Sequence, residues 1–408
     1  MRCRHCGTPL ETTFLDLGSA PPSNAYLAKS QLAEPEKWYP LRILVCTNCW
    51  LVQTEDYVGR EELFSPDYAY FSSYSTSWLE HARSYVDDMV SRFGLTTNSL
   101  VGEIAANDGY LLQYVKARGV PCYGVEPATR VAAAARDKGL EIVPEFFGRN
   151  VGYRLAKEGR QADLVVANNV LAHVPDINDF VPGFAALLKP RGVATFEFPH
   201  LLKLAAETQF DTLYHEHYSY LSLTTVDRIF QANGLSVFDV EELTTHGGSL
   251  RVYAQRSESN FHEVRPSVKA LLERESDAGM TRPEYYTEFQ AKANEVKNAF
   301  LMFLLEAKRD GQKVGAYGAA AKGNTLLNYA GVRPDLLPYV VDRSPAKQGS
   351  FLPGSRVPIV AEERLRQEKP DWIVLLPWNL KKELMAQLAY VREWGGRFVM
   401  AVPQLTFL

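Results

Sequence analysis

The sequence predicts an α/β protein made of a small metal-binding module followed by two Rossmann-like units. Three observations predict it. Four of the five cysteines fall in two C-x-x-C pairs near the N-terminus, Cys3/Cys6 and Cys46/Cys49. Strand-like and helix-like patterns alternate from about residue 76 to 257, and a second alternation follows residue 288. A chain of 408 residues has room for two or three domains, and boundaries are expected at 1–75, 76–285 and 286–408.

Residues 1–75 read as a loop-rich unit stapled by its cysteines, because so small a domain cannot rely on its core. Each C-x-x-C is a tight knuckle, and two knuckles can offer four thiolates to one tetrahedral ion. Zinc suits four sulfurs. Such a closed site leaves no position for substrate or water, so the metal is expected to be structural. His5 lies inside the first knuckle and is a competing ligand, but four sulfurs suffice. Cys122 stands alone and is expected to be buried in a strand.

In the middle unit the predicted strands are 100–105, 122–125, 164–167 and 193–198, with helices such as 129–138 and 178–188 between them. The first strand ends in a sharp turn, E-I-A-A-N-D-G-Y (103–110), where Ala105 and Gly109 let a ligand approach the backbone. Glu126 ends the second strand, where a carboxylate can accept hydrogen bonds from ribose hydroxyls; otherwise it is a solvated strand end. Asp108 either faces the ligand or caps a helix. A dinucleotide would call for G-x-G-x-x-G at this turn, which has E-x-x-x-N-D-G instead. A sulfonium cofactor has no phosphate and tolerates carboxylates, so S-adenosylmethionine is favoured over NAD. Its candidate contacts are Glu103, Ala105, Asn107, Asp108, Glu126 and, on a later strand end, Asn168 and Asn169. His173 follows them and meets substrate, caps a helix or packs in the core.

The segment Tyr214-His215-Glu216-His217-Tyr218 brings two imidazoles, a carboxylate and two phenols together after the strand at 194–199. Loops beyond the carboxyl ends of α/β strands carry chemistry. A histidine there, titrating near neutrality, can take a proton from a carbon acid. The alternative is a polar surface loop.

Residues 256–288 are rich in charge and read as a connector. A helix at 288–308 leads into strands 313–317, 339–341, 372–376 and 398–401. The loop Y-G-A-A-A-K-G-N-T (317–325) offers backbone amides and Lys322 as a diphosphate cradle. Asp342 and Arg343 follow the next strand. H-G-G-S-L-R (246–251) allows close approach, and Arg251 reaches a phosphate or the surface.

The net charge is -4, without a run of one sign. Nothing recommends nucleic acid or a membrane as partner. No apolar stretch spans a bilayer, and the N-terminus lacks a signal-peptide core, so a cytoplasmic protein is expected. In that setting disulfides are disfavoured.

The four cysteines, E-I-A-A-N-D-G-Y, N-N-V-L-A-H-V-P-D, Y-H-E-H-Y-S-Y-L-S, H-G-G-S-L-R and Y-G-A-A-A-K-G-N-T occur in this order. The combination resembles the zinc-containing, S-adenosylmethionine-dependent C-methyltransferases of nucleotide-linked keto-deoxysugars, over residues 3 to about 358. The resemblance implies a middle methyltransferase domain, with the nucleotide-sugar between it and the C-terminal domain. It implies methylation beside a ketone, at C-3. His217 would be the general base, Tyr214 and Glu216 would line the sugar site, and His173 would lie near the keto oxygen. A tyrosine of the N-terminal module, Tyr70 or Tyr68, would reach the sugar. Arg251, Tyr317, Lys322, Asn324, Asp342 and Arg343 would hold the rest of the substrate. The protein is expected to be a monomer.

That chemistry explains the residue types. A ring C–H becomes acidic enough for histidine only beside a ketone, where the charge spreads onto oxygen, and donors aimed at that oxygen lower the barrier by a few kcal/mol. Glu216 would orient an imidazole or bind a hydroxyl. The competing readings are an O- or N-methyltransferase, an NAD-dependent nucleotide-sugar oxidoreductase and a non-catalytic zinc-ribbon binding protein.

Overall fold

The computed structural model describes residues 1–57, 59 and 71–408. Tyr68 and Tyr70 lie outside the described residues. Three sheets organise the described residues. The first begins with β1 (Thr12–Ala20), β2 (Tyr39–Val45) and β3 (Val52–Thr54), all antiparallel.

The middle unit contributes β4 (Val101–Ile104), β5 (Cys122–Val125), β6 (Ile142–Val143), β7 (Ala162–Asn168) and β8 (Leu188–Pro199). Next comes β9 (Ser219–Tyr220), which pairs with β3 and becomes the fourth strand of the N-terminal sheet. β10 (Leu235–Leu243) and β11 (Ser249–Arg256) complete a seven-stranded sheet of order β10-β11-β8-β7-β4-β5-β6. Only β11 runs against its neighbours. β7 is buried along nearly its whole length, as a strand covered by helices on both faces must be, which is why its sequence reads as an apolar run. β8 starts five residues before its predicted start at 193. Pro190 and Gly192 look like a loop, but Leu188 still pairs with Ala162 across a register shift. Cys122 opens β5 and is half-buried.

The third sheet has the order β14-β13-β12-β15-β16-β17. Its strands are β12 (Val314–Tyr317), β13 (Val340–Val341), β14 (Ile359–Val360), β15 (Trp372–Leu375), β16 (Arg397–Met400) and β17 (Thr406–Phe407). All but β17 are parallel.

The segment 256–288 is more than a connector. Helix Pro266–Asp277 buries Val268, Leu271 and Glu275. Glu275 accepts main-chain hydrogen bonds from Leu223 and Thr224 at the start of helix Leu223–Ala232, and its Oε1 lies 2.7 Å from His200 Nε2. Charge density hid this, because the buried carboxylate is a capping group and not a solvated one.

The N-terminal module bridges the other two units. Phe14 stacks on Phe289 of helix Phe289–Arg309 with ring centroids 4.4 Å apart, joining β1 to the core of the C-terminal unit. The cysteine knuckles pack instead into the core of the middle unit.

Candidate active site

Cys3, Cys6, Cys46 and Cys49 place all four sulfurs within 4.8 Å of one another. Cys3 and Cys49 are 3.5 Å apart, as are Cys6 and Cys46. Bonds of about 2.3 Å around one tetrahedral zinc ion put sulfurs about 3.8 Å apart, so this donor set fits the ion with all four positions filled by sulfur. Gln53 Nε2 donates to Cys3 Sγ at 3.3 Å. His5 turns away from the cluster, with Nδ1 2.9 Å from Asn178 Oδ1 on the middle unit.

The candidate cofactor cradle lies at the carboxyl ends of β4, β5 and β7. Glu126 accepts main-chain hydrogen bonds from Asn107 at 3.0 Å and Ala128 at 2.9 Å. Burial raises its carboxyl above the usual range, and those two donors oppose the rise. Glu103 is raised well above the usual range by burial, with Glu126 and Asp108 adding to it. Ala105 (φ 58°), Asn107 (φ 49°) and Asn169 (φ 53°) all adopt the left-handed conformation. Such conformations in non-glycine residues cluster at ligand sites. Asn168 and Asp108 each bury an Oδ1 with no hydrogen-bond partner among the described residues. Three carboxyl groups meet here, and each that ionises adds a negative charge, which disfavours a pyrophosphate and suits a ligand that carries positive charge.

The Y-H-E-H-Y segment is held from the N-terminal sheet. Thr54 Oγ1 donates to the His217 carbonyl at 3.0 Å, and Thr54 N–H donates to the Tyr218 carbonyl at 3.2 Å. His217 Nδ1 lies 3.0 Å from the Thr212 carbonyl and can only donate to it, which leaves Nε2 as the basic nitrogen. The Tyr214 hydroxyl lies 2.8 Å from that Nε2. His173 Nδ1 donates to the Glu216 carbonyl at 2.8 Å, and the rings of His173 and His217 meet edge to face at 4.6 Å. Near-neutral titration does not hold for this histidine. Burial pushes His217 well below the usual histidine value, and His173, His246 and Lys322 add to the shift. It is therefore a neutral base throughout the neutral range. His215, the other imidazole, bonds the Pro40 carbonyl at 3.2 Å and packs against Tyr39.

Glu216 is buried, and its Oε1 accepts both the main-chain and the side-chain N–H of Asn24 at 3.2 Å. No imidazole bonds its carboxylate among the described residues.

The expected phosphate ligands behave differently. Arg251 is buried: its Nε bonds Glu197 Oε1 at 2.7 Å, and its Nη1 bonds Glu241 Oε2 at 3.2 Å. It is a strut between β8, β10 and β11, and not a phosphate ligand. The predicted amide cradle is also internally satisfied. Gly318 N–H bonds Val341, Ala319 N–H bonds Asp342 Oδ2, and Ala320 N–H bonds Gly318. Lys322 faces inward across the Trp378 ring at 4.5 Å and donates to Asn379 Oδ1 at 2.8 Å. Asn324 is buried next to Ser23. Tyr317 points to the opposite face of the sheet, where its hydroxyl meets Glu362 and Gln387, and Arg343 also reaches Gln387. These residues thus separate into an inner group and an outer one.

Sequence reasoning missed Asn24, Thr54, Asp211, His246 and Trp378. Asp211 accepts Trp378 Nε1 at 2.8 Å across the boundary between the middle and C-terminal units. Burial raises its carboxyl to about 6, with Lys322 and Trp378 opposing. His246 is left-handed (φ 55°) and packs edge-on against Trp78 at 5.0 Å. The two glycines beside it were a usable signal: a Cβ on Gly247 would lie 2.5 Å from Trp378. Nothing in the sequence marked the others.

Family models match three stretches of the chain: "Putative zinc binding domain" over residues 3–64, "Methyltransferase domain" over 78–240 and "C-methyltransferase C-terminal domain" over 244–403. C-methyltransferase NovU of Streptomyces niveus is 36% identical over 402 residues, 98% of this chain and 95% of that protein. Among solved structures, magnesium protoporphyrin IX methyltransferase of Synechocystis PCC 6803 with bound SAH is 19% identical. That match covers 44% of this chain and 83% of the other, with a TM-score of 0.36. The PH0226 protein of Pyrococcus horikoshii OT3 is 14% identical, covering 46% of this chain and 95% of the other, with a TM-score of 0.37.

Proposed function

The chain belongs to the C-methyltransferase family, and on that premise we propose that it methylates a ring carbon beside a ketone, C-3, in a nucleotide-linked keto-deoxysugar. The middle unit holds S-adenosylmethionine, which when bound supplies an electrophilic methyl group on a sulfonium. The single observation that carries the proposal is the state of His217. It is a buried neutral imidazole whose Nδ1–H is fixed on Thr212, so that Nε2 is the basic atom.

His217 Nε2 takes the proton from the ring carbon, and the C–H electron pair moves into an enolate. His173, in ring contact with His217, is assigned by the resemblance to the neighbourhood of the keto oxygen. Tyr214, whose hydroxyl marks the direction of the Nε2 lone pair, lines the sugar site with Glu216. General-base catalysis of this kind contributes about 10²–10⁴ in rate. The closed zinc site takes no part in the chemistry, and the protein works as a cytoplasmic monomer.

The test is to incubate the protein with methyl-labelled S-adenosylmethionine and a panel of nucleoside-diphosphate keto-deoxysugars in deuterated water. Label on carbon in the product, together with deuterium exchanged into that same position of the substrate not yet methylated, is expected. Label on oxygen or nitrogen would replace the reading with an O- or N-methyltransferase.

A further inference from the structure

The zinc module sends one loop into the site. The segment between β1 and β2 runs between the Y-H-E-H-Y segment and the C-terminal unit, and it is fastened on either side of Asn24. Tyr26 donates its hydroxyl to the Ala319 carbonyl at 2.7 Å, and Leu27 pairs with Phe351. Ser23 Oγ lies 3.5 Å from Thr325 Oγ1, which in turn donates to the Leu213 carbonyl at 3.2 Å. Between these anchors, Asn24 directs two N–H groups at one oxygen of Glu216. The other oxygen, Oε2, is buried without a hydrogen-bond partner among the described residues. A buried carboxylate oxygen left unmatched inside a fold is costly unless a ligand completes it.

We propose that Asn24 is a positioning residue: by pinning Oε1 it fixes the rotation of the Glu216 carboxylate and presents Oε2 to a hydroxyl of the bound sugar. The inference rests on the sugar reading above. Two donors on one oxygen leave the carboxylate one orientation, and a hydroxyl donor is the substrate group that an ionised carboxylate can accept. Among the described residues, the following charged and titratable groups surround Glu216. Tyr26 faces it from the β1–β2 segment and Tyr220 from β9, and His173 binds its main-chain carbonyl. Lys347 and Asp342 lie beyond Tyr26. Burial raises the Glu216 carboxyl, and its own main-chain N–H, both Asn24 donors and the Ser23 main chain oppose the rise.

The test uses the full-length, zinc-loaded chain. The carboxyl of Glu216 is followed by ¹³C NMR through a pH titration, with Glu216→Gln assigning the resonance. Asn24→Asp keeps the shape, replaces the side-chain donor and adds a like charge; Asn24→Ala removes the donor alone. The midpoint is expected to rise in Asn24→Ala and to rise further in Asn24→Asp. Zinc content and melting temperature verify that both variants are folded. Midpoints unchanged in both would overturn the proposal. A second arm measures methyl transfer to the keto nucleotide-sugars. If Oε2 binds a hydroxyl, Asn24→Ala should raise KM about tenfold, and the Asn24→Ala/Glu216→Gln pair should lose no more than Glu216→Gln alone. Additive losses would refute the positioning role. Absence of methyl transfer from wild-type protein would instead refute the sugar reading, and the titration would still stand.

Discussion

Thr54, on the last strand of the zinc module, donates its hydroxyl to the main-chain carbonyl of His217 at 3.0 Å. The last strand that the zinc module itself contributes, β3, therefore holds the backbone of the candidate base. A four-sulfur site can take no part in chemistry directly, yet it sets the position of an imidazole on another unit.

Zinc removal should therefore act on both stability and activity. Cys46→Ser is expected to lose the metal and lower the melting temperature, since structural zinc contributes folding free energy directly. Methyl transfer should fall with it, because β3 orders the segment from His217 to Tyr220. Metal content, thermal melting and turnover on one preparation check this.

His217→Asn should leave S-adenosylmethionine affinity within about twofold of wild type while lowering proton exchange at the acidic carbon by about 10²–10⁴. Isothermal titration and deuterium washout separate the two. Exchange at the wild-type rate would mean that another base acts.

The pH dependence of stability has a definite sign. Burial holds His173 and His246 down at about 4, with the Glu216 carbonyl opposing the shift at His173 and Lys322 adding to it at His246. In the unfolded chain both take protons near 6.5. Between those values the unfolded state binds more protons, so folded stability falls as pH falls, by up to about 1.4 kcal/mol per pH unit for each histidine. The raised carboxyls Glu103, Glu126, Glu216 and Asp211 oppose this trend. His173→Asn isolates one term: its loss of stability between pH 6.5 and 4.5 in urea denaturation should be shallower than that of wild type.

Glu126→Gln should weaken S-adenosylmethionine binding by about 1.5–3 kcal/mol, the cost of losing hydrogen bonds to a charged acceptor. The affinity for the nucleotide-sugar should change little. Titration of each ligand separately checks both statements.

Arg251→Met tests the corrected role of that arginine. It leaves Glu197 buried against His81 alone, and breaking such a pair costs about 3–5 kcal/mol. A large fall in denaturation midpoint is expected, with an unchanged KM for nucleotide-sugar in the folded fraction. A raised KM at wild-type stability would restore the phosphate assignment.

Several features were legible along the chain because they depend on local spacing. Two C-x-x-C knuckles imply four sulfurs around one ion. Alternating apolar runs imply parallel strands. A carboxylate ending the second strand, at Glu126, implies a polar cradle beside the first turn. The order of E-I-A-A-N-D-G-Y, Y-H-E-H-Y and the cysteines implied the family. What each side chain faces is set by residues far away in sequence, and spacing carries no record of them. Arg251 looked like a phosphate ligand until Glu197 and Glu241 were found on either side of it. Lys322 looked like a member of a loop cradle until its ammonium was seen over the Trp378 ring. His217 looked like a near-neutral histidine until burial among Lys322 and two other imidazoles lowered its affinity for a proton. Burial and partnership are properties of packed neighbours, so the sequence by itself determined the kind of chemistry and the metal, and the tertiary structure alone decided which groups are held neutral, paired or presented.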